Sequence, residues 1–151
     1  MSGIFERQFD VGWRDVDPNG HVANMAYLEY AVDTRIAFFA ANRFPPTSFL
    51  KQGFGPVIKS DLVDYFREAM MLERLTVTIE NGGNSEDFSR FRVINRIFKA
   101  DRELAARVTT IGGWLNLKER KLMEPPDIIK KAWRSLTRTE DFQELPSSIK
   151  K

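Results

Sequence analysis

Within seven residues, Asp15-Val16-Asp17-Pro18-Asn19-Gly20-His21, the chain gathers two carboxylates, an amide and its single histidine. A carboxylate there can attack an acyl carbon or draw a proton from water, and a nearby imidazole can orient that water or shuttle a proton near neutral pH. The oxyanion that develops in such a reaction needs donors. A helix start supplies them, because its first backbone N–H groups lack partners and its dipole favours negative charge. Pro18-Asn19-Gly20 reads as a turn, with a fixed φ, then an Asx side chain, then a permissive glycine.

Two rival chemistries fail on spacing. Asp15, Asp17, Asn19 and Gly20 match the first half of an EF-hand loop, but the position that needs a bidentate glutamate is Ala26, and Pro18 sits inside the loop. One histidine and no cysteine exclude the usual zinc sets, a cysteine nucleophile and a disulfide framework, so no metal is expected.

The surrounding pattern says what positions the loop. Phe5, Arg7, Phe9, Val11 and Trp13 alternate with Glu6, Gln8, Asp10 and Gly12, which predicts a strand. From His21 to Arg43, Tyr27, Leu28, Ala31, Val32, Ile36, Phe39 and Ala40 recur at helical spacing with no Gly or Pro between them. This predicts a long, largely buried helix closed by Pro45-Pro46. A Gly/Pro-rich loop follows, then strands near Val57–Phe66, Leu72–Glu80, Phe88–Lys99 and Glu103–Leu117. Asn81-Gly82-Gly83-Asn84 reads as a turn between two of them. Pro125-Pro126 opens a short helix in which Ile129, Trp133 and Leu136 share a face. Residues 1–143 read as one domain and 144–151 as a flexible tail. The class is α+β, a buried helix wrapped by a strongly curved antiparallel sheet.

Charge excludes some functions. With 23 basic and 21 acidic residues the net charge is +2 and no basic stripe forms, so no nucleic-acid partner is expected. No stretch approaches 18 apolar residues and the first residues carry no signal-peptide core, which points to a cytoplasmic protein without a membrane partner.

Asp15 to Tyr27, Asp-Val-Asp-Pro-Asn-Gly-His-Val-Ala-Asn-Met-Ala-Tyr, resembles the D-x-D-x-x-G-H-V-x-N-x-x-Y signature of hot-dog thioesterases: the 4-hydroxybenzoyl-CoA thioesterase type, YbgC-like acyl-CoA thioesterases and acyl-ACP thioesterases. The likeness continues at Leu28-Glu29-Tyr30 and Arg35, and weakly at Asp64-Tyr65-Phe66-Arg67-Glu68-Ala69. It implies a hot-dog fold, a long central helix in a curved five-stranded antiparallel sheet with a short C-terminal helix. The implied activity is hydrolysis of acyl-CoA or acyl-carrier-protein thioesters without a cofactor. The implied assembly is a homodimer or homotetramer with active sites at the subunit interface.

By the same resemblance Asp17 is the nucleophile or general base, and backbone N–H groups near Ala23 or Asn24 polarise the thioester oxygen. His21 with Asn19 either takes part in catalysis or shapes the loop and caps the helix, and Asp15 reads as scaffold. The Asn24 side chain caps the helix or touches substrate. Gly20 shapes the substrate loop, Tyr27 reads as pocket wall, and Glu68 matches a catalytic glutamate or is a surface residue. Phe66 lines an acyl tunnel or belongs to the core. The stretch Asn81 to Asp87 is polar and acidic where CoA-specific relatives place basic residues, which leaves Arg90 and Arg92 as candidates for nucleotide phosphates. The alternative function is a non-catalytic acyl-thioester-binding module on the same fold.

Overall fold

A computed structural model describes residues 4–149. Strand β1 (Phe5–Asp10) leads into a 3-10 turn at Trp13–Asp15, then helix α1 (Asn24–Ala41) and a short helix α2 (Pro46–Gln52). Four long strands follow: β2 (Phe54–Tyr65), β3 (Arg74–Asn84), β4 (Arg90–Phe98) and β5 (Leu104–Asn116). The two-residue β6 (Lys121–Leu122), helix α3 (Asp127–Ser135) and β7 (Arg138–Glu144) complete the chain. The sheet runs β1-β3-β4-β5-β2, with β6 added beside β5 and β7 parallel beside β3. This is the expected α+β architecture: one long helix lies against a curled, mainly antiparallel sheet.

Helix α1 has no Gly or Pro to interrupt it and buries Ala26, Tyr27, Tyr30, Ala31, Thr34, Phe38 and Phe39. The buried face serves two cores. Near its start, Tyr27, Tyr30 and Ala31 pack with Val11, Leu75, Val77, Ile97 and Val108. Near its end, Phe38 and Phe39 join Phe54, Phe91, Trp114, Ile129 and Trp133. Between them Arg35 ties helix to sheet: Nε donates to Asn95 Oδ1 at 2.9 Å and Nη2 to Thr110 Oγ1 at 2.7 Å, and Thr110 Oγ1 donates to Asp61 Oδ1 at 2.6 Å. Burial pulls the Arg35 guanidinium down to about 10 although Asp61 opposes it.

The structure corrects the sequence reading at several points. The sheet has seven strands, not five, because β6 and β7 join it. Asn81-Gly82-Gly83-Asn84 is no turn. It lies within β3, with a register shift between Asn81 and Gly83, and the chain reverses instead over residues 85–89. The glycines serve a close approach: a Cβ on Gly83 would sit 2.6 Å from the Gln143 carbonyl oxygen of β7. Gly83→Val should therefore push β7 off the sheet and cost about 1–3 kcal/mol, read from urea unfolding; an unchanged midpoint would mean β7 contributes little to stability. Nor do residues 144–149 hang free. Leu145 N donates to Asn84 O at 3.1 Å, and Ser148 N to Ser89 Oγ at 2.9 Å; positions 150 and 151 lie outside the described residues. The predicted first strand stops at Asp10, and Trp13 stands 82% exposed instead of entering the core. Helix α1 is also less enclosed than expected, since Met25, Val32 and Ile36 are exposed along one side.

Candidate active site

Asp17 is fixed by its own loop. Its Oδ1 accepts the backbone N–H of Asn19 at 2.8 Å and that of His21 at 3.2 Å, an Asx-type arrangement. Asp17 N donates to His21 O at 2.8 Å, and Gly20 N returns to Asp17 O at 3.0 Å. The turn closes only because Gly20 takes a φ of +80°, which a side chain would strain. Oδ2 of Asp17 has no hydrogen-bond partner among the described residues, and Asp17 lines a cavity of about 360 Å³. One oxygen is thus held and the other left for chemistry.

Asp15 braces the loop from behind, as expected of a scaffold residue. Its Oδ2 accepts Gly12 N–H at 2.9 Å, and its carbonyl accepts Ala23 N–H at 2.7 Å. That second bond removes one of the two expected oxyanion donors, because the Ala23 N–H is spent on Asp15. Val22 N is likewise bound to Ala69 O at 2.8 Å. The unengaged donors among the described residues come next, Asn24 N–H and Met25 N–H in the first turn of α1, where no side chain caps the helix. Neither Asn19 nor Asn24 caps it, so those donors face no competing internal acceptor.

The loop after β2 closes the cavity opposite Asp17. His21 Nε2 lies 3.2 Å from Glu68 Oε2, and His21 forms a bridge with Met70. Asp17, His21, Asn24, Tyr27, Phe66 and Glu68 all line this one cavity, so the structure brings together six of the residues singled out from sequence. Gly20, Asn19 and Ala23 act here through their backbones. Burial pushes the Tyr27 phenol up. Its ring meets Tyr65 edge-on at 5.7 Å, and Tyr65 donates its hydroxyl to Asn24 O at 3.2 Å. Tyr65, Arg67 and Val22 also line the cavity and were missed, although the first two belong to the aromatic-basic run around Phe66. Arg90 is not brought there. It pairs with Gly113 at the far end of the sheet, about seven residues of β5, or ~23 Å, from the Tyr65–Ala106 pair beside the cavity.

A largely buried ion pair pins the Glu68 segment. Lys99 Nζ donates to the Glu68 carbonyl and to Glu73 Oε1, the latter at 3.0 Å. Burial raises the Glu73 carboxyl, but bonds from Lys99, Ala100 N and Met70 N outweigh it and hold the group below its usual 4.5. Since the folded value is depressed, its stabilising contribution is complete above about pH 4.5 and disappears as pH falls through the lowered value. Glu73→Gln should therefore be less stable at neutral pH and lose less on acidification, measured as urea midpoints from pH 7 down to pH 3; parallel pH curves would contradict this role.

Among the described residues no cluster of three His, Cys, Asp or Glu could hold a metal, and no helix is long and apolar enough to cross a membrane. The chain matches solved structures over most of its length. A hypothetical protein of Staphylococcus aureus, solved with CoA, is 16% identical with a TM-score of 0.81, covering 96% of this chain and 90% of that one. The 1,4-dihydroxy-2-naphthoyl-CoA thioesterase of Synechocystis is 22% identical with a TM-score of 0.79, covering 87% and 96%. A thioesterase of Thermus thermophilus, complexed with CoA and Zn, is 27% identical with a TM-score of 0.73, covering 96% and 100%. These likenesses establish the hot-dog fold. No curated protein matches the chain. The family model described as the thioesterase-like superfamily matches residues 11–133, from the end of β1 to the aromatic face of α3. On that match, with the fold around it, the chain belongs to the thioesterase-like superfamily.

Proposed function

We propose that the chain hydrolyses acyl-CoA thioesters to a free acid and CoA thiol at the Asp17 cavity. The carrying observation is that Asp17, whose Oδ2 is unengaged, and Asn24, at a helix start whose Asn24 and Met25 N–H groups have no acceptor among the described residues, line one cavity. The thioester oxygen accepts from those N–H groups, which stabilise the oxyanion as the carbonyl carbon becomes tetrahedral. Asp17 supplies the attack, by drawing a proton from water or by forming a mixed anhydride that water then opens. Collapse expels the thiolate; the proton that leaves water is passed on to it through His21, and Glu68 steadies the imidazole that relays it. The family match and the solved structures with CoA support this reading.

The working unit in this reading is a homodimer, or a pair of dimers. Strand β2 bonds only to β5, leaving its other edge without a strand partner among the described residues, and it exposes Ile58, Leu62 and Tyr65. A long open edge beside apolar side chains calls for a cover, and a second copy of β2 supplies one.

The test is thiol release from a panel of acyl-CoAs. Turnover of at least one class is expected. Tight binding of acyl-CoA with no thiol released would instead make the chain an acyl-thioester-binding module.

A further inference from the structure

A second cavity, distinct from the Asp17 site, lies under the C-terminal half of α1. It encloses about 430 Å³ between α1, α2, the start of β2 and the concave face of the sheet, and carbon atoms form nearly all of its wall. Phe39, Phe49 and Trp114 build its floor, with Phe49 stacked on Trp114 and Phe39 edge-on to it. Packed interiors do not keep apolar voids of this size, because each costs stability, whereas ligand pockets commonly fall in this range.

The cavity is joined to the carboxylate by a track of apolar side chains that are exposed in the single chain and that a second copy seated along β2 would roof. Met25, Val32 and Ile36 mark it on α1; Tyr65, Leu62 and Ile58 mark it on β2. Val32, Ile36 and Ile58 stand at the cavity mouth, and Tyr65 lines the Asp17 site. From the open N–H groups at Asn24 to Ile36 is twelve helical residues, or ~18 Å. A chain held by its carbonyl at Asn24 therefore reaches the cavity only if it is long and slender.

The wall also states what the occupant lacks. Arg35 is its one charged residue, and the guanidinium is committed to Asn95 and Thr110. The indole nitrogens of Trp114 and Trp133 have neither a partner nor accessible surface, so they meet no ligand hydroxyl. A hydroxyl taken into this cavity would lose water and gain nothing, weakening binding about ten-fold.

We propose that this cavity is the acyl pocket and that the substrate class is the unsubstituted long-chain aliphatic acyl thioester, not a hydroxylated aromatic one. The proposal rests on the hydrolytic reading of the Asp17 site for its kinetic test, but the cavity can be tested without turnover. In thiol-release assays kcat/KM should climb about four-fold per added methylene once the chain reaches the cavity. Palmitoyl-CoA, whose chain is long enough to reach, should exceed acetyl-CoA and 1,4-dihydroxy-2-naphthoyl-CoA by at least about ten-fold. Ile36→Trp, at a half-exposed position of the mouth, should cut the palmitoyl-to-acetyl ratio at least about ten-fold. A preference for acetyl or hydroxyaryl substrates, or a ratio unchanged in Ile36→Trp, would overturn the proposal. If no acyl-CoA is cleaved, the hydrolytic reading falls by itself. Calorimetry with lauric acid then decides the cavity: binding by the wild type that Ile36→Trp abolishes supports it, and no binding, or equal binding by both, overturns it.

Discussion

Replacing Asp17 by asparagine is expected to lower kcat for acyl-CoA hydrolysis by roughly 10²–10⁴-fold without unfolding the loop. The substitution separates chemistry from scaffold. Asp17 Oδ1 holds the turn by accepting from Asn19 N and His21 N, and an asparagine oxygen can accept both bonds. What is lost is the charge on the oxygen that has no partner, so neither proton abstraction nor direct attack survives. Asp17→Ala would remove the turn's acceptor as well and mix the two effects. The readout is kcat beside the circular-dichroism spectrum and the urea midpoint, the last two expected to match the wild type. Single turnover in ¹⁸O-labelled water can establish direct attack: label in the protein's carboxylate marks an anhydride opened at Asp17, whereas label only in the acid is common to activated water and to an anhydride opened at its acyl carbon. An Asp17→Asn variant with wild-type kcat would remove this residue from the mechanism.

The largest effect on stability is expected from Trp114→Ala, about 3–5 kcal/mol. Trp114 on β5 is fully buried, with ring centroids of Phe91 at 5.5 Å, Phe39 at 5.8 Å and Phe54 at 5.9 Å around it. It joins α1 to the sheet at the end remote from the Asp17 site, and α2 packs on the same ring through Phe49. Its indole nitrogen has no hydrogen-bond partner, so the whole loss is packing. Collapse cannot refill the space readily, since Trp114 already borders the apolar cavity. For a chain of this size the change should lower the melting temperature by roughly 8–15 °C. Trp114→Phe keeps a ring and should lose much less. A shift under about 1 kcal/mol in Trp114→Ala would mean that the distal core is looser than its ring contacts imply.

What sequence could show of this fold follows from range. Strands β2 to β5 and helix α1 were legible because period-two and helical patterns are local. Strand β7 was not. Arg138 to Glu144 carries no alternating apolar run, and it joins the sheet by parallel pairing with β3, whose strand lies some sixty residues earlier. That pairing also hid the meaning of Gly82 and Gly83: a glycine pair serves a turn or a close approach, and only β7 decides between them. Helix α2 escaped because Pro45-Pro46 reads as a stop, while Pro46 in fact occupies its first turn, where a missing N–H costs nothing.

The candidate site divides the same way. Asp17, His21, Asn24 and Tyr27 lie within eleven residues, and they could be named together because that stretch resembles the thioesterase signature. The backbone donors could not. Whether Ala23 or Asn24 offers a free N–H turns on one bond to the Asp15 carbonyl, which no residue type reveals. Glu68 was named on a weak likeness, and its approach to His21 depends on the Lys99–Glu73 pair that holds its segment, a contact between two loops. Arg90 was placed by its nearness in sequence to a loop, and the register of β4 on β5 carries it to the opposite end.

The most direct test is a crystal structure with a ketone analogue of palmitoyl-CoA, in which a methylene separates the carbonyl from sulfur so that no cleavage occurs. The expected result places the carbonyl oxygen about 3 Å from the Asn24 or Met25 N–H, with the carbonyl carbon facing Asp17 Oδ2. A carbonyl bound away from the start of α1, with Asp17 turned to solvent, would contradict the assignment of this loop as the place where the thioester is cut.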